Sequence, residues 1–207
     1  MRVKLIHHTD SPEEVCARAA RGDMDLRPSY EIEDYKHGGW EKILDHCFEH
    51  GHLGVFEHAS FTFSISGISR VCSHQLVRHR IATYDQQSQR YVDLTQHLDK
   101  EKPCYNPLLE KVLEYYRGEE VEDLDLDPLE VLGEFFVIPP KLGEKETSIV
   151  CQAYAKSFLA YVELVRMGVP VEDARMVLPG GIKTNITATF NYRALYEASE
   201  KRLCTRS

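Results

Sequence analysis

The sequence predicts a single α+β domain, and three observations support this prediction. Two stretches, residues 55–66 and 182–190, alternate apolar and polar side chains with the period of two that is typical of strands. Several other stretches repeat apolar residues at the spacing of an amphipathic helix. These stretches follow no strand–helix–strand rhythm and no G-x-G-x-x-G sequence occurs, so we expect an α+β fold rather than a Rossmann domain.

Length and composition are those of one soluble globular domain. The 207 residues suffice for one sizeable core, and 43% apolar and 28% charged residues are ordinary values. No run of 18 apolar residues occurs and the N-terminus lacks the apolar region of a signal peptide, so we expect neither a membrane span nor secretion. The six cysteines form no C-x-x-C pair, which favours the reducing cytoplasm. A net charge of -8 disfavours general nucleic-acid binding.

Apolar spacing and helix-end signals predict the elements of the first half. In order, these are a strand over residues 3–6, a helix from Ser11 to Gly22, a helix from about Gly39 to His50, and the strand over residues 55–66. Ser11 is expected to form a capping box with Glu14, and Gly51 to end the second helix. Helical spacing returns from Ile68 to Leu76, which places Gln75 and Arg78 one turn apart on a helix that runs out into a loop.

The second half is predicted to be mainly helical, with one strand. Its elements are a helix from Asn106 to Gly118, a short helix from Asp127, a long helix from Thr147 or Ser148 to Met167, a short helix over residues 172–177, the strand over residues 182–190 and a last helix capped by Asn191. Residues 119–127 carry six acids and no base, and we interpret them as a solvated loop. In the strand we expect Ile182, Ile186, Ala188 and Phe190 to face inward.

The stretch from residue 68 to residue 92 reverses the sign of the chain's charge. Its arginines, histidines and acids are Arg70, His74, Arg78, His79, Arg80, Asp85 and Arg90. Guanidinium groups bind phosphate bidentately and stay charged at any working pH, so this concentration of charge indicates a site for a small anion. A solvated basic helix face is the alternative. We favour a binding site, because nearly all the residues next to these arginines are glutamines, arginines or serine, whose side chains can form hydrogen bonds to a ligand.

The same stretch resembles the flavin-dependent thymidylate synthases. That family carries R-H-R, seven residues and then S, which here reads Arg78-His79-Arg80, IATYDQQ and Ser88. Three further stretches are similar to family patterns: GHLGVFEH with His52 and Glu57, ARMVLP with Arg175, and N-x-R with Asn191 and Arg193, followed by Arg202. The resemblance covers about residues 40–92 and 136–206, and we interpret residues 95–134 as an acidic helical insertion into the single domain 1–207.

The sequence departs from the family pattern at several positions. The family often has a hydroxyl residue at Gly54, a glutamate at Gln86 and an asparagine at Glu197, and a serine follows A-A-R where this chain has Gly22-Asp23. Family members also usually continue into another helix beyond the position of Ser207. These departures concern the cofactor and sugar contacts rather than the R-H-R motif itself.

The resemblance implies a cytoplasmic homotetramer with a mostly antiparallel sheet flanked by helices. It implies conversion of dUMP to dTMP with methylenetetrahydrofolate as carbon donor, FAD reduced by NADPH as hydride source, and no metal, nucleic acid or membrane. The implied catalytic residues are Arg78, Ser88 and Arg202. The implied dUMP-binding residues are Gln75, Arg78, Gln86, Gln87, Ser88, Gln89, Arg90, Arg175 and Arg202. The implied FAD-binding residues are His52, Glu57, Arg78, His79, Arg80, Ile81, Asn191 and Arg193.

Two other kinds of function and one point of mechanism stay open at this stage. A metal-dependent hydrolase could use the histidine cluster His46, His50, His52 and His58, although no H-E-x-x-H sequence is present. A module that binds RNA or an acidic protein could use the basic stretch, although Tyr84 and Tyr91 are its only aromatic residues. Ser88 could act as a nucleophile or only as a hydrogen-bonding group, since a nucleophilic serine needs an adjacent base.

Overall fold

The computed structural model describes residues 1–32, 39–119 and 127–203. The strands in these ranges are β1 (Arg2–His8), β2 (Ser60–Ser69), β3 (Ala82–Gln86) and β4 (Lys183–Asn191). The α-helices are α1 (Pro12–Gly22), α2 (Gly39–Glu49), α3 (Arg70–Leu76), α4 (Pro107–Arg117), α5 (Pro128–Phe135), α6 (Glu144–Arg166), α7 (Val171–Ala174) and α8 (Tyr192–Arg202). Short 3₁₀ helices cover Ser29–Glu31, Leu53–His58, Leu94–Leu98 and Arg175–Val177.

The four strands form one sheet in the order β1-β2-β4-β3. The predicted α+β class with a mostly antiparallel sheet is therefore confirmed.

The contacts of the chain divide into two compact units. The first unit is Met1–Ile65, Gln75–Asp85 and Ile186–Ser207, and the second unit is Ser66–His74 and Gln86–Asn185. The extent of a single domain over residues 1–207 stays a prediction.

The first unit has two small cores. One joins α1, α2 and the 3₁₀ helix before β2 through the buried residues Cys16, Ala17, Ala20, Ile43, Cys47, Phe56 and Ala59. The other packs β4 and α8 against β2 and β3. In β4, Ile186, Ala188 and Phe190 are buried while Thr187 is exposed, which confirms the predicted alternation. Asn191 is the last residue of this strand and caps α8.

The second unit has the larger core, which is made mainly by α4, α5 and α6. Leu109 and Val112 of α4, Leu132 of α5 and Phe158 of α6 are completely buried in it. Helix α4 and all of α5 except Phe135 lie in the stretch that we interpreted as an insertion, so this stretch supplies part of the core of its unit. Its status as an insertion stays a prediction. The predicted acidic loop falls mostly on residues 120–126, which lie outside the described residues. No helix in the described ranges is both long and apolar enough to cross a membrane.

Several helix ends follow the predicted capping signals. The Asn106 side chain accepts hydrogen bonds from the N–H groups of Leu108 and Leu109, and Gly118 ends the same helix with φ of 87°. Asp127 caps α5 through Leu129, and Asn191 caps α8 through the N–H of Ala194 at 2.8 Å. These caps satisfy N–H groups that have no partner inside the first helical turn, so they fix where each helix begins.

The predicted start of α1 was wrong in its detail. Ser11 adopts a left-handed conformation with φ of 47° and its side chain makes no capping hydrogen bond. Glu14 binds Arg18, which lies one turn later on the same helix, instead of closing a capping box. The helix still begins at Pro12 because its fixed φ suits the first turn, and it ends at Gly22 as predicted.

Two predicted elements have different bounds in the structure, and one strand was not predicted. Residues 53–58 form a 3₁₀ helix and the strand begins only at Ser60, because Phe56 packs into the core of α1 and α2. Helix α6 begins at Glu144 rather than at Thr147. The sequence did not predict β3, in which Tyr84 packs edge-on against Phe190 of β4 at 5.8 Å. A five-residue strand carries too short an alternation to be recognised without its neighbour.

Candidate active site

Three arginines in the second unit form a cluster, which we call the arginine cluster: Arg70, Arg90 and Arg175. Arg70 is half-buried, and burial together with the positive charge of Arg175 lowers the pKa of its guanidinium. One Nη of Arg70 donates to the carbonyl of Gln87 at 3.5 Å, and no carboxylate in residues 1–32, 39–119 or 127–203 forms an ion pair with it. An anion that binds between two guanidinium groups stabilises both, because it offsets the repulsion between their charges.

The position of Arg70 follows from a glycine-containing turn before β4. The N–H of Arg70 donates to Ile182 at 3.0 Å and the N–H of Val71 donates to Gly180 at 3.1 Å. A Cβ atom at Gly180 would lie only 2.7 Å from Cγ2 of Val71, so the side chain of Val71 would have to move. The small residue thus allows the close contact that places Arg70.

Glu172 holds the other two members of the arginine cluster. Its carboxylate accepts from Nε of Arg90 at 2.9 Å and forms an ion pair with Nη2 of the same guanidinium at 2.8 Å. The carbonyl oxygen of Glu172 accepts from Nε of Arg175 at 2.8 Å. One residue in α7 therefore orients two guanidinium groups that lie 85 positions apart in the sequence.

Ser88 lies in the turn that carries Arg90. The hydroxyl oxygen of Ser88 accepts from the N–H of Arg90 at 3.1 Å, and its carbonyl accepts from the N–H of Val92 at 3.0 Å. The N–H of Gln87 donates to Asn185 at 2.9 Å and ties the start of this turn to β4. The turn therefore holds the hydroxyl of Ser88 against the backbone of Arg90.

The glutamines of the motif have different surroundings. The amide nitrogen of Gln86 donates to the buried hydroxyl of Ser73 at 2.8 Å and to Thr184 at 3.2 Å, so this side chain links α3 to β4 within the second unit. Gln87 and Gln89 are half-buried in the turn around Ser88. Gln86 thus has a structural role that the sequence did not predict.

In the first unit, His79 and Arg202 form a second pair of predicted site residues. Nε of Arg202 donates to Nε2 of His79 at 2.9 Å, and its Nη2 donates to the carbonyl of Gln75 at 3.3 Å. Burial, and then the positive charges of Arg202 and Lys201, lower the pKa of His79. His79 therefore accepts this bond as a neutral imidazole with its proton on Nδ1.

The R-H-R motif lines a cleft against α8. Arg78, Arg80 and Ile81 line a cleft of about 230 Å³ together with Lys201 and other residues of α8. Helix α3 ends at Leu76, so Arg78 lies in the turn that follows. The sequence had predicted Arg78 on the helix, one turn after Gln75. The N–H of Arg78 still donates to the carbonyl of Gln75 at 3.2 Å. The cleft combines three cationic side chains with the exposed apolar side chain of Ile81.

The remaining predicted cofactor residues also lie in the first unit. Arg193 donates to Glu57 at 2.7 Å and to Glu197 at 2.9 Å, and these bonds, first to Glu197 and then to Glu57, raise the pKa of its guanidinium. Asn191 uses its side-chain oxygen to cap α8. His52 lines a separate cleft of about 780 Å³ between α1 and α2.

The histidine cluster makes backbone and ring contacts. The rings of His46 and His50 lie 4.1 Å apart, and Nδ1 of His50 lies 2.9 Å from the carbonyl of His46. In the part of the chain that the structure describes, no three His, Cys, Asp or Glu side chains are arranged to hold a metal ion.

The structure thus brings the predicted residues together in two groups. The second unit joins Ser88, Arg90 and Arg175, and the first unit joins Gln75, His79 and Arg202 beside the R-H-R cleft. Sequence reasoning missed Arg70, Glu172 and Lys201. Arg70 lay inside the basic stretch and Lys201 in the last helical turn, but nothing in the sequence showed that either faced a site.

Comparisons with known proteins identify the family of this chain. The family described as "Thymidylate synthase complementing protein" matches residues 4–207. A flavin-dependent thymidylate synthase from Geobacter sulfurreducens is 37% identical over 215 residues, which cover all of this chain and 75% of the relative. This chain belongs to the flavin-dependent thymidylate synthase family. The family relative from Saccharolobus solfataricus is 36% identical over 206 residues, and the chain spans 66% of its length.

A solved structure shares the fold of this family member. The flavin-dependent thymidylate synthase of Helicobacter pylori, in complex with FAD and dUMP, matches with a TM-score of 0.70 at 24% identity. The match covers 100% of this chain and 86% of the other.

The pair of His79 and Arg202 predicts a pH effect on stability. The pKa of His79 is lower in the folded protein than its ordinary value of 6.5, so below pH 6.5 the unfolded chain binds more protons. We expect the stability contributed by neutral His79 to be present above pH 6.5 and to be lost as the pH falls through the lowered pKa. Replacing Arg202 by alanine should raise the pKa of His79 towards 6.5, which an NMR titration of the ring proton measures.

The control for this titration is Arg193→Ala on the same helix, because Arg193 binds Glu57 and Glu197 and not His79. It should leave the His79 titration unchanged. A pKa of His79 that is the same in Arg202→Ala as in the parent protein would contradict the assigned role of Arg202.

Proposed function

We propose that this protein converts dUMP to dTMP, with methylenetetrahydrofolate as carbon donor and FAD, reduced by NADPH, as the source of hydride. The observation that carries this proposal is the arginine cluster, in which Arg90 lies on the same turn as Ser88, the last residue of the R-H-R-x7-S motif. Family membership supports it, and so does the binding of FAD and dUMP by the Helicobacter pylori protein of the same fold. The finer assignments below extend this proposal to individual residues.

The arginine cluster is suited to the phosphate of dUMP. A phosphate monoester carries nearly two negative charges at neutral pH and accepts bidentate hydrogen bonds from guanidinium groups. Burial and then the positive charge of Arg175 lower the pKa of Arg70, and a dianion bound between the two guanidinium groups offsets both effects. Ser88 adds a hydroxyl donor on the same turn as Arg90. We therefore expect phosphate binding to depend on the positive charges of the arginine cluster, which the protein orients through Glu172.

The other substrate residues are assigned to the sugar and the base. Gln75, Gln87 and Gln89 offer amide groups for hydrogen bonds. Gln86 offers mainly its amide oxygen to a sugar hydroxyl, because its nitrogen donates to Ser73 and Thr184. Arg78 stabilises the negative charge that develops on the uracil carbonyl when hydride adds, and Arg202 contributes a further positive charge.

The R-H-R cleft fits a flavin dinucleotide in its chemistry. FAD presents a pyrophosphate with two negative charges and a planar ring with apolar faces, and the cleft presents Arg78, Arg80 and Lys201 beside Ile81. When bound, the flavin supplies hydride transfer, while the protein supplies orientation and charge. His79 is assigned to the same cofactor. The further residues assigned to it are His52, Glu57, Asn191 and Arg193.

The proposal includes a homotetramer in the cytoplasm, on the basis of the family resemblance. Light scattering of the FAD-loaded protein tests the assembly. A fully active monomer would contradict this part of the proposal and leave the reaction itself unaffected.

Tritium release tests the reaction directly. The purified protein is incubated with dUMP labelled at C5, FAD, NADPH and methylenetetrahydrofolate, and we expect tritiated water that depends on each component. The protein should also be yellow, with a flavin spectrum that NADPH bleaches. Colourless protein that shifts on RNA or contains stoichiometric zinc would favour the alternatives instead.

Ser88→Ala tests whether Ser88 is a nucleophile. The Ser88 hydroxyl accepts from the N–H of Arg90, and a nucleophilic serine needs a base in hydrogen-bond reach. We therefore expect the variant to keep measurable turnover, with KM for dUMP raised by about fivefold through loss of one charge-assisted bond. Complete loss of tritium release while FAD and dUMP still bind would instead support the nucleophile.

A further inference from the structure

Two side chains on one face of α6 hold the two segments that carry Arg90 and Arg175. Tyr161 is completely buried, and its hydroxyl donates to Oδ1 of Asp93 at 3.2 Å and accepts from the N–H of Leu94 at 3.2 Å. Ser157 lies one turn earlier, and its hydroxyl donates to the carbonyl of Val177. Positions four apart lie on the same side of a helix, so both contacts come from one face.

The contact with Tyr161 fixes the end of the turn around Ser88. Asp93 also accepts from the N–H and the hydroxyl of Thr95, both at 2.8 Å, so it begins the 3₁₀ helix Leu94–Leu98. Burial raises the pKa of Tyr161 to about 12, so its hydroxyl stays protonated and can donate at any ordinary pH. The N–H of Gln87 bonds the start of the turn to Asn185 of β4, and Asp93 bonds the end of the turn to Tyr161 of α6.

The contact with Ser157 fixes the segment of Arg175. Val177 ends the 3₁₀ helix Arg175–Val177, in which the carbonyl of Arg175 accepts from Leu178 at 3.0 Å. The two guanidiniums then meet at Glu172, as described above. The backbone of each arginine segment is thus attached to the same rigid helix, and the side chains converge beyond it.

We infer that Ser157 and Tyr161 of α6 are positioning residues that set the spacing between Arg90 and Arg175, and so the affinity of the site for a phosphate monoester. This inference rests on the proposed function, in which these two arginines hold the phosphate of dUMP. A helix of 23 residues anchored in the core of its unit is a stiffer support than the turn and the short helix that carry the arginines.

Tyr161→Phe and Ser157→Ala test this inference in the FAD-loaded protein. Each variant removes one anchor without touching a guanidinium, and we expect KM for dUMP to rise about tenfold while kcat at saturating dUMP stays within about twofold. The inhibition constant of deoxyuridine, which lacks the phosphate, should not change. A residue with only a structural role would not separate dUMP from deoxyuridine.

Tyr154→Phe is the matched control. Tyr154 is a half-buried tyrosine on the same helix, and its hydroxyl donates to Val137 at 3.3 Å without contacting either arginine segment. It should leave both KM for dUMP and the deoxyuridine constant unchanged. If Tyr161→Phe does not fold, Ser157→Ala alone decides, because Ser157 is only partly buried.

Two results would overturn the inference. One is an unchanged KM for dUMP in folded Ser157→Ala and Tyr161→Phe. The other is an equal weakening of dUMP and deoxyuridine, which would indicate a general disturbance of the site. If the parent protein binds neither dUMP nor deoxyuridine, the proposed function itself is wrong and the inference fails with it. These outcomes are distinguishable because the parent protein is measured first.

Discussion

Replacing Arg175 by alanine is expected to lower the affinity for dUMP by about 100-fold, because a guanidinium bound to a phosphate contributes charge-assisted hydrogen bonds. Calorimetry of the FAD-loaded protein measures this change. The variant loses the bond from Arg175 to the carbonyl of Glu172, but it also loses the positive charge that, after burial, lowers the pKa of Arg70, so we expect little change in stability. The loss of affinity can then be assigned to the missing contact and not to unfolding.

Arg175→Lys and Arg166→Ala complete this experiment. Lysine keeps the charge but cannot bind phosphate bidentately, so we expect it to recover only part of the affinity. Arg166 lies in the last turn of α6 and is exposed, and its replacement should not change dUMP binding. Parent-like affinity in Arg175→Ala would remove the arginine cluster from the substrate site.

Gly181→Ala is expected to destabilise the protein by about 3 kcal/mol, because overpacking of a close contact forces neighbouring atoms to move. A Cβ atom at Gly181 would lie 2.1 Å from the hydroxyl and 2.6 Å from Cζ of Tyr154. The backbone cannot easily shift, since the carbonyl of Gly181 accepts from the N–H of Val137 at 2.9 Å. Urea unfolding measures the change in the free energy of unfolding.

Gly133→Ala is the control glycine. Gly133 lies inside α5, and a Cβ atom there would meet no atom within 4 Å. Alanine favours the helix over glycine by about 0.5–1 kcal/mol, so this variant should be as stable as the parent or more stable. Combining Gly181→Ala with Tyr154→Ala should recover part of the loss that the added methyl group causes. Equal stability of Gly181→Ala and the parent would show that the turn before β4 is less tightly packed than described.

Local signals explain which parts of the fold could be predicted. The cap at Asn106 and the alternation in β4 depend on neighbouring residues, and both predictions were confirmed. The errors arose where distant contacts decide the backbone. Phe56 turned a strand-like alternation into a 3₁₀ helix by packing on α1 and α2, and β3 depends on its pairing beside β4. A single sequence does not show such contacts, because the residues that make them lie far apart in the chain.

The candidate site shows the same division. Arg90 and Arg175 were chosen from short motifs, and the structure brings both to Glu172. Arg70 was not chosen, because its closeness to Arg175 exists only once α3 is attached to the turn before β4. Gln86 was assigned to the substrate from its position alone, and its bonds to Ser73 and Thr184 appear only in the folded chain. Motifs therefore indicated the residues proposed to bind ligands. The residues that orient them could be identified only from the folded structure.

The bond between Glu172 and Arg90 has a consequence for anion selectivity. Glu172 acts as an internal counter-ion that preorganises the Arg90 guanidinium while the site holds no ligand. Both side chains are about half exposed, and exposed ion pairs of this kind contribute only about 0–1 kcal/mol. A doubly charged phosphate ester can replace the carboxylate at little cost, whereas a chloride ion gains too little from one contact to compete. The site can thus remain ordered in the salt of a cell and still be available to its nucleotide.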